Sequence, residues 1–432
     1  MRQLIVLALL LFKSTCFAGF SVCVPVTINH LKVPNTNQTN FTIPICANGD
    51  SGKYCDSTAN SNLAATSFKT VANGGKATSA SGFDINWFSD SGCTASLPFY
   101  FVAATYSATT GYGIWYVQKT LLTASDVTIY AGVGNASVTT NQSTNAWAST
   151  FKVVWPFTGA VDNTGPVIAS IGVDATGNGY DLSAGASPNR ISKAGVVDAN
   201  GVNLYSIGGN GVQASVSSQT LAAGLPTGSA DRTLIFYMSQ PSVGGGNGYS
   251  FAYGTPGPPN HLLFAVRWNG TGSPGCTTCC GTGNAQSKAQ WQSIGWGDDT
   301  NSTLGYCMNQ GDGAGIWTAH QLAVVLSSSG TVIDMYGDGV LDTHSTGHAF
   351  NTTIGGTATH LTWNAVGDCT PNSNCFSGSI NAAFIYGKIA DSALSADYIA
   401  TENNAVSSPQ TFLTFGSPIP LGASPRRVVS FQ

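Results

Sequence analysis

The chain has 432 residues, of which only 8% are Asp, Glu, Lys or Arg, with 16 basic against 20 acidic side chains. Ordinary soluble domains carry about 25% charged residues, so Ser, Thr, Asn and Gly must form most of this surface. The basic footprint that phosphate backbones require is missing, which excludes nucleic acid as a partner, and a hydrophobic fraction of 42% with 10% aromatics excludes a disordered tract.

In chain order, Arg2 supplies a short positive segment and residues 4–12 (LIVLALLLF) an apolar run. Cys16-Phe17-Ala18 then places small residues for cleavage before Gly19. This is the pattern of a secretory signal peptide over residues 1–18, with an apolar run well short of the roughly 20 residues that span a bilayer. The expected location is therefore secreted or at the cell surface, without a transmembrane segment. Of 11 cysteines, Cys16 leaves with the signal, and the others fall into two even sets. Cys23, Cys46, Cys55 and Cys93 form the first; Cys276, Cys279, Cys280, Cys307, Cys369 and Cys375 form the second. Even sets in an exported chain point to disulfides within each domain, with the pairing left open.

Beyond the signal, short β-rich runs alternate with turn clusters: residues 234–238 (LIFYM), 262–268 (LLFAVRW), 322–326 (LAVVL) and 382–386 (AAFIY). The 52 glycines disfavour long helices. One short helix is expected over residues 396–405, capped by Ser395. The chain thus reads as all-β. Its expected parts are a β-sandwich-like domain over 19–157, a linker over 158–171, a second β-domain over 172–410 and an extended tail over 411–432, ordered where it docks on a domain.

Residues 24–157 resemble a bacterial family known as domain of unknown function 2341. The likeness is carried by 26–45 (VTINHLKVPNTNQTNFTIPI), 73–88 (NGGKATSASGFDINWF), GIWYV, SDVTIY and GNAS within 111–137, and the stretch 147–155. Phe99-Tyr100-Phe101 and Pro156 depart from the family pattern, which usually has an acidic residue and a histidine there. The resemblance implies an exported β-domain that accompanies recognition modules. Residues 172–406 resemble a concanavalin A-like, laminin-G-type jelly roll, on DATGNGYD at 174–181, TVIDMYGDG at 331–339, FSGSINAAFIY at 376–386 and LSADYI at 394–399. That resemblance implies two packed antiparallel sheets that often bind glycans, sometimes with calcium. A cysteine-bearing insertion over about 256–306 is longer than the family's usual one.

Some jelly-roll enzymes hydrolyse glucans with two glutamates and an aspartate on one strand, because glycoside cleavage needs two flanking carboxyl groups. Glu402 is the only glutamate here and falls on the expected helix, so that pair cannot form. Asp298 with Asp299, or Asp338 with Asp342, are the remaining carboxylate pairs; the first two point opposite ways on a strand and Asp338 sits at a turn. No G-x-S-x-G elbow, phosphate loop or complete G-x-G-x-x-G occurs. No catalytic residue is assigned, and the protein is read as a non-enzyme. His344 and His348 lie in loop-like sequence, and Cys276-x-x-Cys279-Cys280 reads as disulfide chemistry. Calcium is the expected ion, with Asp174, Asn178, Asp312 and Asp338 as candidate ligands in oxygen-rich loops; the same residues are also turn formers. Trp291, Trp296, Trp317 and Trp363, beside Asn, Gln, Gly and Asp, are candidate sugar-stacking residues, while Trp268 inside an apolar run reads as core.

The leading expectation is a secreted recognition protein whose jelly roll binds neutral glycan or another extracellular surface, as in cell adhesion. The alternative is a self-associating subunit of a filament, sheath or extracellular matrix, since low charge weakens self-repulsion. A glycosidase is the third reading.

Overall fold

In a computed structural model, residues 19–49, 57–156, 173–180, 224–239, 320–353 and 383–421 are described, together with the strand segments 182–184, 196–197, 203–204, 214–216, 248–254, 263–269, 290–294, 300–301, 317–318 and 362–363. The expected signal peptide, the expected linker and the end of the tail lie outside them. The N-terminal strands are β1 (Val22–Ile28), β2 (Gln38–Ala47), β3 (Ile85–Phe88), β4 (Phe99–Phe101), β5 (Gly113–Leu121), β6 (Val127–Val133) and β7 (Phe151–Pro156). Short strands follow: β8 (Leu182–Ala184), β9 (Val196–Val197), β10 (Asn203–Leu204) and β11 (Ala214–Val216). Then come β12 (Arg232–Ser239), β13 (Gly248–Gly254), β14 (Leu263–Asn269), β15 (Gln290–Ile294), β16 (Thr300–Asn301) and β17 (Trp317–Thr318). The last are β18 (His320–Ser327), β19 (Val332–Gly337), β20 (Val340–Thr346), β21 (Thr362–Trp363), β22 (Ala383–Ala390), helices α1 (Ala396–Ser407) and α2 (Pro409–Phe412), and strands β23 (Leu413–Phe415) and β24 (Ile419–Pro420). The fold is all-β, as the composition implies, with a short C-terminal helical segment.

Two sheets form an N-terminal sandwich: β23-β1-β6-β3, with β24 also on β1, against β2-β5-β4. Its core is aromatic. Trp115 on β5 meets Trp87 on β3 at 6.1 Å between ring centroids, stacks on Phe101 and packs edge-on against Phe68. The NGGKATSASGFD stretch is held by Asp84, 0% exposed, whose carboxylate accepts from the Thr78 N–H and hydroxyl and from the Ser79 N–H. Cys23 and Cys93 are disulfide-bonded to each other, and Cys46 is disulfide-bonded as well.

The C-terminal part contains a six-stranded antiparallel sheet, β20-β19-β18-β12-β22-β7, and a seven-stranded one, β16-β15-β14-β13-β21-β11-β8. Its β18–β19–β20 arm turns at Asp338-Gly339, both at positive φ, as the Asp-Gly pair demands. The apolar runs LIFYM and LAVVL lack strand alternation because both faces of this sheet are covered. On β12, Arg232, Leu234 and Phe236 are buried, and so are Thr233, Ile235 and Tyr237. The first face meets the seven-stranded sheet, where the Arg232 guanidinium donates to Tyr253 on β13 and sits 5.5 Å from the Phe264 ring on β14. Its remaining donors go to the carbonyls of Pro226, Gly228 and Ala230. The second face packs with α1 into the same core as the N-terminal sandwich.

Connections between the two halves are closer than a linear reading suggests. Strand β7, from the N-terminal stretch, pairs with β22. Strands β23 and β24, from the tail, pair with β1. Ser395 caps α1 by accepting from the Tyr398 N–H. Asn35 and Thr36 in turn donate to Asp397 in the first helical turn.

Candidate functional site

The glutamate on which hydrolysis would depend sits on α1, under the six-stranded sheet. Glu402 is 1% exposed and Lys388 on β22 is 4% exposed, with Nζ 2.8 Å from Oε1. Lys388 also lies over the rings of Phe151 and Tyr386, at 5.5 and 5.1 Å. The Tyr386 and Tyr398 hydroxyls border the carboxylate. Burial, then the Glu402 charge, pushes both phenols well above the ordinary tyrosine value. Thr42, Pro44 and Tyr116 from the N-terminal sandwich close the far side of a cavity of about 20 Å³. That is room for a single water molecule, not for a sugar ring. The cluster therefore joins layers and offers no substrate access.

The candidate calcium ligands have protein partners. Asp174 is 4% exposed and accepts from the N–H groups of Val154, Thr176 and Tyr180 and from the Thr176 hydroxyl. Asn178 donates to the Lys152 carbonyl, and Trp155 to the Tyr180 carbonyl, so the DATGNGY loop clamps β7. Asp338 faces His320 at 2.7 Å and accepts from the Gln321 N–H. Asp312 lies outside the described residues. Among the described residues no group of three or more His, Cys, Asp or Glu gathers to hold a metal. His344, expected in a loop, is on strand β20 and pairs with Asp334, while His348 faces Thr300 and Ser345.

The remaining candidate surface is the seven-stranded sheet, whose register sorts its residues by face. Paired residues on neighbouring strands share a face, as do alternate residues along a strand. Val266 and Phe264 on β14 are 0% exposed, Tyr253 on β13 is 1% and Thr300 on β16 is 5%, which identifies the core face. Val266 is opposite Phe251 and Ser293, and Phe251 is opposite Trp363, so position 363 is on the core face. Trp268, two residues beyond Val266, is opposite Trp291, which places position 291 there too. Trp317 is on β17, in a separate small sheet paired in parallel with β9. Trp296 and Asp298 with Asp299 lie outside the described residues, as do Cys55 and the second cysteine set.

The positions on the opposite face of the sheet form a different set. Across the strands, Asn301, Gln292, Arg267 and Tyr249 form one row. Ala265, Ala252, Thr362, Ser215 and Ser183 form a second. Ile294 continues the second row on β15, and Gln290 with Asn269 form a third. No Asp or Glu occupies any of these positions. The sequence reading missed this set, because single Ser, Thr, Asn and Gln residues give no local signal; the alternation within LFAVRWN and QWQSI is the one clue.

No family model and no curated protein matches the chain. Among solved structures it is similar to domain 4 of an extracellular GH43 arabinanase from Geobacillus stearothermophilus, solved with arabinotriose, at TM-score 0.34 and 13% identity, over 59% of this chain and 98% of that one. It is also similar to botulinum neurotoxin type C, in a structure concerned with two ganglioside molecules, at TM-score 0.36 and 10% identity, over 60% of this chain and 51% of that one. The binding domain of Paraclostridial Mosquitocidal Protein 1 matches at TM-score 0.36 and 9% identity, over 59% and 52%. The chain thus covers nearly all of the arabinanase domain and about half of each toxin chain. At these values neither a family nor an activity is transferred to it. No helix among the described residues is long and apolar enough to cross a membrane.

Proposed function

We propose that this is a secreted, non-catalytic recognition protein that binds extracellular carbohydrate through the face of its seven-stranded sheet opposite the core. The register carries the reading: the positions opposite the core face hold Asn301, Gln292, Tyr249, Thr362, Ser215 and Ser183 across the strands, with Ala265, Ala252 and Ile294 among them. Hydroxyl and amide groups hydrogen-bond sugar hydroxyls, and an aromatic ring offers a stacking surface. The burial of Glu402 in an ion pair supports binding over hydrolysis, and the Cys23–Cys93 disulfide supports an oxidising compartment. The test is a polysaccharide panel against the mature protein, by affinity electrophoresis and calorimetry, with calcium and with chelator, beside a reducing-sugar assay. Saturable binding without turnover is expected. Absence of binding to every polymer in both conditions overturns the proposal, and turnover overturns its non-catalytic part. The calcium arm reads whether an ion shares in the site.

A second reading, a self-associating structural subunit, is favoured by strand β20. It is an edge of the six-stranded sheet, with Val340 63% and Leu341 47% exposed, and exposed edges invite strand pairing. A protein that stays monomeric in size-exclusion chromatography across concentrations refutes it.

A further inference from the structure

The N-terminal sandwich is completed from the far end of the chain. Strand β1 has β6 on one side and the tail strands β23 and β24 on the other, so without the tail β1 would be the edge of its sheet. The tail also fills the core. Phe412 and Leu413 are 0% exposed, and Phe415 meets Phe68 edge-on at 5.8 Å between ring centroids. Leu421 packs on the cluster formed by Cys23, Cys93 and Phe88. Backbone bonds run the length of β1: the Asn29 N–H donates to the Phe412 carbonyl, the Gly416 N–H to the Pro25 carbonyl and the Leu421 N–H to the Ser21 carbonyl. The Asn29 and Asn62 side chains donate to the carbonyls of Thr411 and Gln410. The groove along β1 thus recognises an extended apolar segment by main-chain pairing and burial, the physics of strand addition.

Helix α1 is anchored separately, through Asp397 to Asn35 and Thr36, through Asn404 to the Lys32 carbonyl and through Glu402 to Lys388. A single residue, Ser408, stands between α1 and α2, and Pro409 follows it. Ser408 is neither helical nor extended there (φ −142°, ψ 54°), whereas a residue before proline favours extended backbone. Turning that one residue to the extended form carries 409–421 away from α1 as a unit. No residue of 408–421 is charged, so nothing in the tail repels a second copy. Every contact in the groove is the same whichever chain supplies the strand, so the Ser408 hinge and the protein concentration decide the source. We propose that the groove along β1 accepts the tail of a second copy of this chain, two chains exchanging residues 409–421 to form a closed twofold pair. The exchange is independent of the carbohydrate site and gives self-association a route other than pairing at β20.

The experiment mixes isotope-labelled wild-type mature protein with unlabelled protein that carries a photoreactive benzophenone side chain in place of Thr414, the register partner of Thr27 on β1. The mixture is unfolded in urea with disulfides intact, refolded at increasing concentration and irradiated, and crosslinked peptides are identified by mass spectrometry. A crosslink from the unlabelled tail to a labelled β1 joins two chains by construction. Such crosslinks are expected to grow with concentration, towards parity with those to unlabelled β1, in a species of twice the monomer mass by light scattering. The same probe in place of Thr27, mixed with labelled tails, reads the contact from the other side and keeps the test decisive where one variant melts below wild type. Crosslinks confined to unlabelled chains at every concentration overturn the inference. Self-association in that case leaves the β20 route standing, and a strictly monomeric protein removes both routes. Glycan binding, measured on the same samples, is expected to be unchanged by the exchange; its absence overturns the carbohydrate reading alone.

Discussion

Lys388 and Glu402 offer a direct measure of how firmly α1 is held between the six-stranded sheet and the N-terminal sandwich. Both groups are almost fully buried and 2.8 Å apart. Removing one partner of such a pair leaves the other charge without compensation in a low-dielectric setting, at a cost of about 3–5 kcal/mol. Glu402→Gln should fall at the low end, about 3 kcal/mol, because the Phe151 and Tyr386 rings still face the ammonium and cation–π contacts contribute about 1 kcal/mol. Lys388→Met should cost about 4 kcal/mol, since it strands the carboxylate. The double variant Lys388→Met/Glu402→Gln carries no buried charge and should return to within about 1 kcal/mol of wild type. Urea unfolding followed by tryptophan fluorescence, with the disulfides intact, measures all three. Amide exchange over residues 396–407 should rise first in the single variants, because the pair ties this helix to β22. Single losses below about 1 kcal/mol, or a double variant as weak as the sum of the singles, would refute the reasoning.

Other outcomes follow from the same packing. Burial raises the phenol pKa of Tyr116, Tyr253, Tyr386 and Tyr398, with Glu402 adding to the shift at Tyr116, Tyr386 and Tyr398. The folded protein therefore holds these protons where the unfolded chain releases them. Stability is unaffected below the unfolded value of about 10 and falls as pH rises above it, by up to about 1.4 kcal/mol per pH unit for each group. Phenolate absorbance that rises fully before unfolding would contradict this. Opening the Cys23–Cys93 bridge with a Cys23→Ser/Cys93→Ser variant should cost about 4 kcal/mol by loop entropy, since the bridge spans 70 residues; an unchanged urea midpoint would count against it. Gly339→Ala should destabilise by about 1–2 kcal/mol through its left-handed backbone alone. The added Cβ would also stand 3.0 Å from the Ala400 Cα, so hairpin and helix must shift apart, which a melting curve reads. Ser395→Ala should cost about 1 kcal/mol by loss of the α1 cap.

What the residues determined unaided is local. The helix at 396–407 was legible from Ser395 and the run behind it, and its two extra residues changed nothing. The hairpin at Asp338-Gly339 was legible because few other pairs accept two consecutive positive φ angles. The all-β class and most strands followed from β-rich runs between turn residues. The face each strand buries was not legible where it mattered most. LIFYM and LAVVL are covered on both sides, so they carry no alternation to read. Positions 291 and 363 have polar neighbours in sequence but fall on the same sheet face as Val266. Asp174 and Asp338 have the composition of ion ligands, and their carboxylates are engaged by N–H groups and a histidine of the chain itself. Glu402 was legible as the only glutamate, but its partner on β22 was not. The tail gave no sign that β23 and β24 would complete a sheet with β1, nearly the whole chain length away. Turn and cap preferences are properties of a few adjacent residues, so sequence alone determines them; strand partners and buried faces depend on summed burial between distant segments, and only the tertiary structure decides those.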